Sequence, residues 1–293
     1  IMILACAHNI RSGWRSIFSI FAGCANQPST EVATMALHLI EKLMSNRFDV
    51  IFHDFVEVVN CFVAFSACRH KVLALQSLEH LAFCADKLAA DGGTERFSKG
   101  VSSRGGEDAT VFRLWWPLLL GLSARVGDSR PEIREKAFET LRYVLKTHGS
   151  AFSVDAWKML FKGVLFPIMD SAKTDLANVT MSAFPTENPF LVQNSGSWID
   201  SVGLKVLTMC LDFFQAMKPL QDKLSVLPDL LSLLESCICQ ETEVLARMGV
   251  STLGDMLLYL GEMDPTTAER VCVYLCDIIT KNLCTNFGPA GRL

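Results

Sequence analysis

"WWPLLLGLSARVGDSRPEIREKAFETL" (115–141) is the stretch whose reading decides the fold. Trp115, Leu118, Leu119 and Leu122 recur at three- and four-residue steps, and the same spacing resumes at Ile133, Ala137 and Leu141, running on to Val144 and Leu145. Between them stand Asp128 and Pro131, a polar interruption with a proline suited to a first helical turn. The reading is two amphipathic helices joined by a short turn.

The pattern returns twice. A shift of 101 positions places Trp14, Ile17, Phe18, Phe21, Val32, Ala36 and Ile40 on the same sites without a gap. A shift of 112 in the other direction places Leu227, Leu230, Leu231, Leu234, Leu245, Gly249 and Leu253 there. A small residue falls at the helix crossing each time: Ala36, Ala137, Gly249. Further helices lie between these hairpins, so each large unit amounts to two repeats of the roughly 40-residue helix-pair kind. A lone pair cannot bury its apolar face, and neighbours must complete its core. The expected fold is therefore all-α, an α-solenoid of stacked HEAT/armadillo-like helix pairs. Val32, Ile133 and Leu245 should be equivalent and buried.

Periodicity predicts helices over 13–25, 30–45, 49–66, 70–90, 111–126, 130–147, 153–170, 196–217, 222–239, 242–261 and 265–284. The expected organisation is one repeat unit over 1–90, a polar mobile loop over 91–110, a second unit over 111–217 and a third over 218–293. "DGGTERFSKGVSSRGGEDA" (91–109) is rich in Gly, Ser and charge, and "KTDLANVTMSAFPTENPFLVQNSG" (173–196) has two prolines and no sustained period. Both are read as mobile loops, the second set inside the second unit.

Composition excludes several classes. The 293 residues carry 27 Lys and Arg against 31 Asp and Glu, a net charge of −4, which does not suit a general nucleic-acid surface. Mean hydropathy is +0.30, yet no uninterrupted apolar run approaches the ~20 residues of a membrane span. Eleven cysteines are scattered through apolar helical stretches, which reads as reduced core thiols in a cytoplasmic protein. The ends of the chain suggest a piece of a larger protein.

Chemistry is sparse. The Gly-Gly pairs at 92–93 and 105–106 lack the Lys-Ser/Thr that completes a phosphate loop, and no GxSxG elbow occurs. His80 and Cys84 stand four apart on one helix, as do Cys272 and Cys276, but no second ligand pair accompanies either. Packing is the expected role for these, and for Cys237 and Cys239. No metal, cofactor or catalytic residue is expected. Trp115 falls on the core side of its helix, whereas Trp116 points elsewhere and is left open. Helix 130–147 interleaves Arg130, Arg134, Lys136, Arg142 and Lys146 with Glu132, Glu135 and Glu139. That suits either a solvated, internally paired face or a docking surface. The candidate partner-binding residues are Arg11, Arg125, Arg130 and Arg134. "NIRSGW" (9–14) reads as a helix junction, with Ser12 placed to cap, Gly13 small enough for close packing and Arg11 available for pairing.

Five blocks, in order, carry a resemblance: "NIRSGWRSIFSIF" (9–21), "FRLWWPLLLGLS" (112–123), "WKMLFKGVLFPIMD" (157–170), "SWIDSVGLKVLTMCLDFF" (197–214) and "CICQETEVLARMGVSTLGDMLLYLGE" (237–262). Together they resemble the region downstream of the catalytic module in the large brefeldin-A-inhibited, Sec-seven-type guanine-nucleotide exchange factors for Arf GTPases. The resemblance implies an α-solenoid that regulates or scaffolds exchange in Golgi vesicle transport. It implies protein partners, either the upstream catalytic module or an Arf-type small GTPase, and peripheral association with trans-Golgi membranes. Exchange in that family uses an "FRLPGE"-type loop; "FRLWWP" shares three letters with it but no Gly-Glu follows, so no exchange activity is expected of this chain. The other reading is a segment of an unrelated helical-repeat adaptor in transport or tethering.

Overall fold

A computed structural model describes residues 6–10, 13–90, 106–171, 202–216, 220–239 and 243–261, with isolated positions at 3, 265, 266, 269, 273 and 276. The expected loops at 91–105 and 173–196 lie outside the described residues, as does nearly all of the expected helix 265–284. Among the described residues every regular element is helical and no strand occurs. The chain divides into two compact units, 1–198 and 199–293.

The first unit holds three hairpins. They are α1 (Trp14–Cys24) with α2 (Thr30–Asn46), α3 (Phe55–Ser66) with α4 (Lys71–Ala90), and α5 (Gly106–Val126) with α6 (Pro131–His148). Two short helical turns, Phe48–Ile51 and Phe52–Asp54, lead into α3, where one unbroken helix was expected. The first members stack in one row, α1 on α3 and α3 on α5, and the second members stack in another, α2 on α4 and α4 on α6. Both rows are the solenoid arrangement. Thr30, Lys71 and Pro131 begin the three helices of the second row. The 101-position shift thus spans two pairs, 41 positions and then 60, the longer step containing 91–105. Because α3 packs on α5, that segment is an insertion within one compact unit, and α5 starts at Gly106, inside the expected loop.

Contacts between successive helices of the first row explain its small residues. The Cys61 thiol on α3 donates to the Phe18 carbonyl of α1 at 3.0 Å. The matching position on α5 is Gly121, where a Cβ would stand 2.3 Å from Cγ2 of Val63 on α3. Only glycine admits that approach.

α7 begins at Val154–Leu160, widens into a π-helical turn over Phe161–Leu165 and continues to residue 171. Pro167 has no N–H to return to the preceding turn, which favours the widening. The Ser123 hydroxyl of α5 donates to the Val164 carbonyl there at 2.7 Å. Gly163 in the same turn receives the Trp116 ring, 2.6 Å from where a Cβ would be. Trp116, left open by the sequence, is a packing residue between α5 and α7.

The second unit contains α8 (Leu204–Ala216), α9 (Leu220–Ile238) and α10 (Glu243–Gly261), each packed against the other two. Leu227, Leu230, Leu231, Leu234 and Leu245 are buried, as the repeat requires, while Leu253 is half-buried. A Cβ on Gly249 would stand 2.9 Å from Ile238 and 3.1 Å from Cys237, so the crossing needs its small residue.

Two expectations at the start of the chain are corrected. Gly13 itself is the N-cap of α1, with φ +98°, and no atom beyond its chain neighbours lies within 4 Å of where its Cβ would be. Its role is conformational, since that left-handed region favours glycine, and close packing is not the reason. Ser12 and Arg11 lie outside the described residues. Val32 is 45% exposed, whereas Ile133 and Leu245 are fully buried. The inward stripe of α2 is Ala33, Ala36, Leu37, Ile40, Leu43 and Met44.

Candidate interaction surface

The candidate arginines of helix α6 converge on one acid. Asp128 sits in the α5–α6 turn with its side chain only 6% exposed. Its Oδ1 accepts from the backbone N–H of Arg130 at 3.0 Å and from Nε of Arg130 at 2.8 Å. Its Oδ2 accepts from Nη2 of Arg130 at 2.9 Å and from Nη1 of Arg125 at 3.1 Å. Burial alone would raise the Asp128 carboxyl. Hydrogen bonds from Arg130 and the charges of Arg130 and Arg125 outweigh it and hold the group below the usual carboxylate range. The bond to Asp128 raises Arg130 in turn.

Arg130 also reaches the neighbouring pair. Its Nη1 donates to the Cys68 carbonyl at 2.7 Å and its Nη2 to that of Ser66 at 3.4 Å. Ser66 is the last residue of α3, so a guanidinium meets carbonyls that a helix end leaves without partners, at the negative end of the helix dipole. The turn of one pair thereby caps a helix of the previous pair.

Arg134 is buried, 6% exposed, and its Nη1 donates to the Asp128 carbonyl at 3.1 Å and to that of Ser129 at 3.4 Å. The expectation of a charged, solvated face at Arg134 is therefore corrected: the side chain folds back over the turn that precedes its own helix. Arg125 and Arg130 keep about a quarter of their side chains exposed. Arg11 lies outside the described residues, so three of the four candidates are brought together. The hub, Asp128, entered the sequence reading only as a helix boundary. The signal available for it was an aspartate two residues before an arginine in a turn, a spacing at which side chain and backbone can both bond the acid.

Four further polar side chains of α6 pair across to α4. Lys136 meets Glu79 at 2.9 Å, Lys71 meets Glu132, and Asp86 accepts from the Tyr143 hydroxyl at 3.0 Å with His148 Nε2 at 2.9 Å. Partners rise together along both helices, as parallel neighbours require. What faces outward is a strip of Glu135, Glu139, Arg142 and Lys146, all exposed and of mixed sign.

Of the sulfur and histidine candidates, Cys84, Cys237 and His80 are packed against neighbours. Cys84 is fully buried, which pushes its thiol upward, and burial lowers His80, whose ring centroid is 5.0 Å from that of Phe62. Burial also pushes Cys61 up to about 12. Cys237 is buried as expected, but the packing expected of Cys239 and Cys276 is corrected, since both are exposed; Cys272 lies outside the described residues. Among the described residues no group of three or more His, Cys, Asp or Glu could hold a metal ion, and no helix is long and apolar enough to cross a membrane.

Known proteins place this architecture. A family model for the GBF1-like tetratrico peptide repeat region matches residues 115–272, and one for the HDS region of Mon2/Sec7/BIG1-like proteins matches 1–42. Brefeldin A-inhibited guanine nucleotide-exchange protein 3 of Arabidopsis thaliana is 30% identical over 289 residues, covering 89% of this chain and 16% of that relative. Protein 2 of the same plant is 30% identical over 284 residues, covering 85% and 15%. The human protein 1 is 25% identical over 272 residues, covering 89% and 14%. No solved structure matches. The chain therefore spans about a sixth of the length of these relatives. It belongs to the brefeldin A-inhibited guanine-nucleotide exchange protein family, and what it matches there is the HDS and helical-repeat region.

Proposed function

We propose that this chain is a non-catalytic regulatory and scaffolding segment of a large Arf guanine-nucleotide exchange factor acting in Golgi vesicle transport. The observation that carries the reading is the fate of its polar groups. Arg130, held by Asp128, ties its helix pair to the previous one, Arg134 closes the turn before its own helix, Cys84 is buried and His80 lies half-buried beside Phe62, so the best-placed acids, bases and thiols serve the stack. A stack so joined offers partners an extended surface on fixed helices. The partners in this reading are the factor's own catalytic module or a GTP-loaded Arf-type GTPase, with recruitment to cytoplasmic trans-Golgi membranes through the whole protein.

Fluorescent-nucleotide release from an Arf-type GTPase, measured with and without the chain, tests it. The expected result is an unchanged rate; acceleration that scales with the chain would overturn the reading. The contact itself is assigned to the outward strip of α6 with the exposed rims of Arg125 and Arg130, and with Arg11. Such contacts are charge-assisted and weaken with salt. Arg142→Glu with Lys146→Glu should lower affinity for the catalytic module and leave the circular dichroism spectrum unchanged. Unchanged affinity would move the docking surface elsewhere.

A further inference from the structure

Repeat equivalence singles out one face. Positions 20, 61 and 121 correspond in α1, α3 and α5, and positions 32, 73 and 133 correspond in α2, α4 and α6. In the second and third pairs these positions are buried, and the first-row ones meet the pair before. Cys61 is 1% exposed and bonds α1; Gly121 is buried against α3; Leu73 and Ile133 are 4% and 0% exposed. In the first pair the same face shows Ile20 at 67% and Val32 at 45%. Beside them Met35 is 65% exposed, where α4 has Gln76 and α6 has Lys136. An apolar residue thus stands at a rim that the inner pairs keep polar, on a face that they bury.

We propose that the Ile20, Val32 and Met35 face is a stacking joint, covered in the longer protein by a further helix pair of the same polypeptide that precedes α1. Three observations on the page favour that occupant over a separate partner. The face is continuous with the interface that α3–α4 and α5–α6 each make on the pair before. Ile3 and Cys6 are helical and lead through the short turn Ala7–Asn9, with Ala7 fully buried, into α1, which is where the second helix of a preceding pair would end. And the relatives carry sequence far beyond the matched part, of which this chain is 16%. Ile20 stands where the inner pairs have Cys61 and Gly121, so the covering helix must offer a recess, and this joint is wider than the two inside the unit.

Met35 reports the occupancy without substitution, because peroxide oxidation of methionine follows exposure. Its rate, divided by that of Met159, which is 49% exposed on α7, would be read by peptide mass spectrometry in chain 1–293 and in the longer protein. We expect the ratio to fall about tenfold or more in the longer protein and to be independent of concentration in chain 1–293. An equal ratio in both proteins overturns the proposal. So does a ratio that falls in chain 1–293 as its concentration rises, which would assign the face to a second copy.

Discussion

The α1–α2 pair and the α5–α6 pair are written in one apolar pattern, yet they meet different surroundings. Ile133 on α6 has no exposure, and its counterpart Val32 on α2 has 45%. Gly121 on α5 is pressed against Val63, and its counterpart Ile20 on α1 is 67% exposed. The difference is that α3–α4 precedes the later pair in the stack. A repeat position in a solenoid is therefore buried by the neighbour it receives, and the pattern within its own helix settles only which way it points.

The largest expected effect sets those counterparts against each other. Ile133→Asp should destabilise the chain by about 3 kcal/mol or more through an unpaired buried charge, while Val32→Asp should cost under ~1 kcal/mol. Urea unfolding followed by circular dichroism measures both. Similar losses would end the comparison between inner and outer pairs.

Removing the hub comes next. Asp128→Asn should cost about 2 kcal/mol, because Arg130 and Arg125 lose a charged partner in a largely buried turn. The acid also carries a pH signature. Its folded-state pKa is depressed, so its contribution is present above the unfolded carboxylate range and is lost as pH falls through the folded value. The wild-type chain should therefore lose more stability than Asp128→Asn between neutral pH and the acid range. Parallel curves would mean that the carboxylate contributes no charge-dependent stability.

Glycines sharpen the same contrast. Gly121→Ala should cost about 1–3 kcal/mol because the new methyl meets Val63. Gly23→Ala, in α1 with nothing within 4 Å of the added atom, should stabilise by up to ~0.5 kcal/mol through helix propensity. Thermal midpoints moving in the same direction for the two would contradict the geometry. The smallest effect belongs to the α4–α6 ladder, where Lys136→Ala should cost under ~0.5 kcal/mol and less still in salt, since Glu79 is well exposed. A larger loss would show the ladder to be a structural joint like Asp128.

The chain's own letters determined its helices. Spacing of Trp115, Leu118, Leu119 and Leu122 predicted one face of α5, and that face is buried; Pro131 and His148 bound α6 close to where periodicity put them. The small residue at the Gly249 crossing was legible too, because a close crossing excludes large side chains, and its repeat counterparts Ala36 and Ala137 are buried. Helical period and turn punctuation act over a few residues, so a sequence displays them directly. Only the tertiary structure decided which faces meet. It made Arg130 the cap of α3, folded Arg134 back over the Asp128 turn, seated Trp116 on Gly163 and left Val32 in solvent. Each of these depends on a partner 40 or more positions away, or on a turn whose geometry sets the side chain's direction, and burial, charge pairing and desolvation are properties of that meeting which no single helix contains.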